Sequence, residues 1–130
     1  MTETGYLAPM FLVTANKGKQ LLCSNYIGRV SPAEVLAGIE DARLLLADLP
    51  PGFRSLVDLS RVEAIELDCV ESIGQLMDLI DKSGVGQIVR VIPDPTKDIG
   101  MNILSVFHYL SRPEFITCDT MSEAGRQLGL

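Results

Sequence analysis

Asp94, Lys97 and Asp98 fall within five residues of the stretch "RVIPDPTKDIGMN", between an apolar strand-like run and an apolar helix-like one. Loops leaving the carboxyl ends of strands are where α/β proteins gather their ligands. Thr96, Lys97 and Asp98 stand where the free N–H groups of a helix start could meet an anion, and Pro93 and Pro95 stiffen the approach. No Gly-x-Gly or P-loop cradle accompanies them, so Thr96 or Asp98 as a plain N-cap fits the same residues. Gly100, inside the first turn that follows, costs its helix about 1 kcal/mol against alanine. Asp58, Asp94 and Asp119 each come at the end of a predicted strand. Gathered on one sheet edge they could hold Mg²⁺, and separately each would cap a turn. A phosphate receiver also needs a paired acid after its first strand and a lysine after its last; neither is present.

Two further residues carry potential chemistry. Cys69 is expected in the first turn of a helix, where the macrodipole lowers a thiol pKa, but the adjacent Asp68 opposes this and a small buried thiol is the favoured reading. His108 is the sole histidine, and no hydroxyl or cysteine stands at a spacing that names its partner, which favours a surface or cap histidine over a general base. With one imidazole and three cysteines (Cys23, Cys69, Cys118) in no C-x-x-C spacing, neither a metal centre nor a disulfide scaffold is expected, and no cofactor is implied.

These residues must be positioned by a folded chain. The 130 residues suit one domain spanning 1–130, with 1–9 as a flexible lead-in. Hydrophobic residues at 47% against 22% charged supply enough apolar surface for a core. Seventeen acids against eleven bases give a net charge of −6, which disfavours nucleic acid and anionic membranes as partners. No apolar run approaches the roughly 20 residues of a membrane span, and Glu3 and Pro9 interrupt any signal peptide, so a cytoplasmic location is expected.

"MFLVTA" and "QLLCSNYIGRV" flank "NKGK" and read as a hairpin. "SPAE" places Ser31 as N-cap, Pro32 at the first helical position and Glu34 in a capping box, opening a helix to about Asp48. "FRSLVDLS" and "QIVRVI" are nearly continuous apolar runs, as doubly buried strands should be. "DCVE" repeats the capping signal with Asp68 and Glu71 before an apolar stripe of Cys69, Ile73, Leu76, Met77 and Ile80, and "RVEAIEL" is left as a connection. A helix over Ile99–Leu110, a strand "EFITC" and a helix "TMSEAGRQL" complete the chain. Strands alternating with helices imply parallel β-α-β units, with the hairpin adding an antiparallel pair.

The hairpin, "GRVSPAE", "LVDLS" and an Asp-led helix together resemble, over about Phe11 to Ile92, the STAS domain of sulfate transporters and anti-sigma-factor antagonists. The resemblance implies a SpoIIAA-like α/β fold: one mixed sheet of about five strands with about four helices mainly on one side. It also implies a non-catalytic module that binds other proteins. In the antagonist branch a D-S-[ST]-G motif opens the helix after the "DLS" strand, and a kinase phosphorylates its second hydroxyl residue. Here Asp68 matches, but Cys69 and Val70 replace both hydroxyl residues and Glu71 replaces the glycine, so no switch at that position is expected.

Helix 99–110 is apolar on more than one face, through Met101, Ile103, Leu104, Val106, Phe107 and Leu110. One sheet cannot cover such a helix. Either the last helix of the chain covers it, or a partner does: a protein, an apolar ligand, or a second copy in a homodimer. Two function classes follow. A binding module would use this helix, with Phe107 central, and the edge formed by Asp58, Ser60, Asp68 and Asp94. The alternative is a small enzyme or ligand carrier, with Asp94, Lys97, Asp98 and His108 lining a pocket over the 93–100 loop.

Overall fold

The computed structural model describes residues 10–94, 96 and 99–130. Strands β1 (Met10–Asn16) and β2 (Leu21–Val30) form the expected antiparallel hairpin, and β3 (Arg54–Ile65), β4 (Gln87–Val91) and β5 (Glu114–Cys118) add in parallel. The single mixed sheet has the order β1-β2-β3-β4-β5. Helices α1 (Pro32–Leu46), α2 (Val70–Lys82) and α3 (Ile99–His108) are its three crossovers. Because the strands add in one direction and crossovers are right-handed, all three helices fall on one face. There Val35, Ile39, Ile73, Leu76, Ile80 and Met101 pack onto Leu22, Phe53, Val57 and Ile88 in the larger core.

The fourth helix, α4 (Met121–Gln127), follows the last strand and is not a crossover, so handedness does not bind it to that face. It lies on the other one, where Ala124 and Leu128 pack on Leu21, Leu56, Val89, Val91 and Cys118. The idea that the last helix covers α3 is therefore overturned.

Local chemistry explains the element starts. The Ser31 amide donates to Glu34 Oε1 at 2.9 Å, closing the capping box of α1 with Pro32 at its first position. The helix stops at Leu46, where the amides of Asp48 and Leu49 turn back to the carbonyls of Leu45 and Leu46. By contrast, Asp68 does not cap α2, whose N-cap position is held by Cys69. Leu67–Cys69 form a 3₁₀ turn ahead of α2, and Cys69 Sγ, fully buried, faces the Val30 carbonyl at 3.4 Å. Burying the thiol against β2 draws this turn onto the sheet and leaves the Asp68 carboxylate exposed.

"RVEAIEL" is likewise not a loop. β3 continues to Ile65 with Val62 buried and Arg61 and Glu63 exposed, a period-two pattern that pairs with Ile27–Val30 of β2. α3 ends at His108, two residues before the expected Leu110.

Candidate functional site

Asp58 and Ser60 sit at an irregularity of β3. The register steps from Asn25↔Asp58 to Ile27↔Arg61, so Leu59 and Ser60 oppose one residue of β2, and Asp58 Oδ1 accepts the Ser60 amide at 2.9 Å. This bulge re-aims the strand. In the next loop Asp94 Oδ1 accepts from the Thr96 amide at 3.1 Å and its hydroxyl at 2.7 Å. Both carboxylates thus close turns on their own backbone. Among the described residues no three His, Cys, Asp or Glu side chains gather where a cation would sit. Lys97 and Asp98 lie outside the described residues.

Cys69 is a poor nucleophile here. Burial pushes its thiol pKa up, and the Asp68 carboxylate adds to the effect. Ser72, the next hydroxyl residue along the chain, is buried and donates to the Cys69 carbonyl at 3.0 Å. Between this turn and the start of α3 lies an apolar cavity of about 270 Å³, lined by Val62, Ile65, Leu67, Val70, Ile73, Gly100, Met101 and Leu104 among others.

α3 is strapped down at two places. From β4, the buried Arg90 donates through Nη1 to Asn102 Oδ1 at 2.9 Å and through Nη2 to Ser105 Oγ at 2.7 Å. Its guanidinium carbon stands 5.2 Å from the Phe115 ring centroid, and Tyr109 meets that ring edge-on at 5.6 Å. Burial pushes the Tyr109 hydroxyl pKa well up. From α2, Asp78 Oδ1 holds His108 Nδ1 at 2.8 Å, and the imidazole lies on Gly74, where a Cβ would approach Nε2 to 2.6 Å. The Ser111 hydroxyl bonds Asp81 just beyond. His108 therefore has a partner that sequence spacing did not name, thirty positions away. It stands at the far end of a ten-residue helix, roughly 15 Å along the axis from the loop holding Asp94.

These straps fix which face of α3 remains outside. Met101, Ser105 and Tyr109 are buried, whereas Ile103 is 55%, Val106 77%, Phe107 69% and Leu110 76% exposed. Beside them Phe115 of β5 is also exposed, and a groove of about 600 Å³ runs between α3 and β5, bordered by Asn102, Ser105, Val106, Tyr109, Leu110, Arg112 and Phe115. Arg90 was the residue missed by sequence reasoning. Its signal was the lone charge in the strand Gln87–Val91.

No family model and no curated protein matches the sequence. Solved structures do. The chain is similar to an uncharacterised protein of the DUF3478 family with a SpoIIAA-like fold from Shewanella loihica, at a TM-score of 0.71 and 12% identity over 98% of this chain and 99% of that one. It is also similar to an anti-sigma factor antagonist from Mycobacterium paratuberculosis (0.57, 17%, all of both chains). The anti-sigma factor antagonist SpoIIAA in its unphosphorylated form gives 0.55 and 15% over 92% of this chain and 97% of that one. The chain has a STAS/SpoIIAA-like fold.

Proposed function

We propose that this chain is a non-catalytic regulatory module that works by binding protein through the outer face of α3, with a second copy of itself as the partner. The observation that carries the reading is the uncovered apolar face of Ile103, Val106, Phe107 and Leu110 on a helix whose inner face is fully engaged. With Phe115 it presents roughly 500 Å² of apolar side-chain surface, the size of the largest patch on a typical soluble monomer, which is often functional. A two-fold contact uses the patch twice, about 1,000 Å², which reaches the lower bound for a specific interface. Likeness in fold to two anti-sigma factor antagonists supports a role exerted on other proteins.

The module is not switched by phosphate at the family's usual position. Cys69 and Val70 stand there, and the neighbouring Ser72 is buried with its hydroxyl engaged. Sedimentation equilibrium at micromolar protein tests the reading, with a dimer mass as the expected outcome. A second reading, an apolar-ligand carrier, draws on the cavity beside Gly100 and Met101. It expects an apolar small molecule to be retained in native mass spectrometry and the protein to sediment as a monomer.

A further inference from the structure

The free edge of the sheet lies beside the uncovered helix. β5 is bound on one side by β4: the Glu114 amide donates to Gly86 O at 3.2 Å, and the Cys118 carbonyl accepts from the Ile92 amide at 2.8 Å. Alternation along a strand then turns the N–H and C=O groups of Phe115 and Thr117 the other way. Among the described residues no strand lies on that side. Of the features that usually blunt an exposed edge, Glu114–Cys118 carries only a charge at its first residue, Glu114, and no lysine, proline or bulge.

We propose that a second copy of the chain pairs with this edge, antiparallel about a two-fold axis at Ile116, joining two five-stranded sheets into one. The proposal rests on the dimer reading above and specifies its contact. Centred on Ile116, each Phe115 exchanges two hydrogen bonds with Thr117 of the second copy, so all four outward groups on each strand are satisfied. Centring on Phe115 would oppose Thr117 to Pro113, which has no N–H to give. Centring on Thr117 would set the Asp119 carboxylate beside the Phe115 ring. In the chosen register the two Glu114 carboxylates stand at opposite ends of the pair.

The same axis accounts for the helix. A two-fold axis normal to the sheet keeps each face on its own side, so both α3 helices lie over the joined strands. Val106 and Leu110, which border the groove against β5, turn toward the axis. The space between α3 and β5 then fills with the second copy's equivalents, and Val106, Leu110 and Phe115, the part of the exposed apolar surface that borders it, turn to the interior of the pair.

Ile116 and its symmetry mate form a non-hydrogen-bonded pair, with Cα atoms about 4.5 Å apart, inside the range a disulfide spans. Ile116→Cys, in a Cys23→Ser background because Cys23 is the half-buried native thiol, is expected to give a disulfide-linked dimer on mild oxidation. Leu12→Cys on the opposite edge strand should stay unlinked. If the protein sediments as a dimer but Ile116→Cys does not cross-link, the β5 pairing is overturned while the α3 reading stands; a monomer overturns both. On the unmutated chain, amide exchange at Phe115 and Thr117 should slow at least about tenfold between monomeric and dimeric concentrations. Exchange at the free-edge rate within the dimer overturns the pairing.

Discussion

Replacing Gly38 by alanine is expected to destabilise this protein, although alanine is the better helix former by about 0.8–1.0 kcal/mol. Gly38 lies in the middle of α1 against the hairpin, and a Cβ there would stand 2.3 Å from Cδ2 and Cε2 of Phe11. Carbon atoms in contact sit about 3.5–4.0 Å apart, so the overlap exceeds roughly 1 Å. The ring has no room to retreat, because it is buried and held against the tilted Tyr26 ring with centroids 4.6 Å apart. Overpacking of this kind costs about 1–3 kcal/mol, and an overlap this large belongs at the upper end. Net of the propensity gain, Gly38→Ala should lose about 1–2 kcal/mol, or roughly 5–10 °C in Tm. Gly125→Ala, in α4 with nothing within 4 Å of the added carbon, should instead gain up to about 1 kcal/mol. Urea titrations followed by far-UV circular dichroism measure both. In a Phe11→Leu background the Gly38→Ala penalty should shrink, a coupling of about 0.5 kcal/mol or more. A Gly38→Ala protein as stable as its parent, or a penalty that Phe11→Leu leaves unchanged, would refute the packing of α1 on β1.

Cys69, Cys118, Tyr26 and Tyr109 all have pKa values raised by burial, so the folded state holds their protons longer than the unfolded chain. Their contribution to stability is complete below the unfolded values, about 8.5 for cysteine and 10 for tyrosine, and is lost as pH climbs toward the folded ones. The melting temperature should therefore fall above about pH 9; a flat profile to about pH 11 would contradict these burials. Thiol titration of the native protein should label Cys23 alone, with Cys69 and Cys118 reacting on denaturation. Incubation with an antagonist-type kinase and intact-mass analysis should show no phosphate at residues 68–71, and phosphate on Ser60 or Ser72 would mean that the motif has been misplaced. A strong chelator should leave the melting temperature unchanged, and a drop of many degrees would reopen Asp58 and Asp94 as cation ligands.

Short-range chemistry was the legible part of the sequence. Ser31, Pro32 and Glu34 act on groups within three residues, and Ile73, Leu76, Met77 and Ile80 share a face at helical spacing, so both helices could be read directly. The order of strands and helices then dictated the parallel sheet. What escaped depends on pairs far apart in the chain. His108 meets Asp78, Arg90 meets Asn102 and Ser105, and Cys69 meets the Val30 carbonyl only after the crossovers are folded. The β3 extension was visible as alternation in "RVEAI", but its charged residues masked it. The placement of α4 follows from its lying after the last strand, where no crossover rule applies, and local patterns carry nothing on that choice. The same placement leaves Phe107 outside.

Sedimentation equilibrium of the unmutated protein and of Phe107→Glu tests the central claim most directly. Phe107 is mostly exposed, so the substitution should leave the far-UV spectrum and melting temperature of the monomer intact. Its burial in a dimer contributes about 1–2 kcal/mol per copy, twice across the axis, and losing it weakens association at least about thirtyfold. The account predicts a dimer for the parent and a folded monomer for the variant at the same micromolar concentration. A monomeric parent, or a variant that dimerises as tightly as the parent, would contradict it.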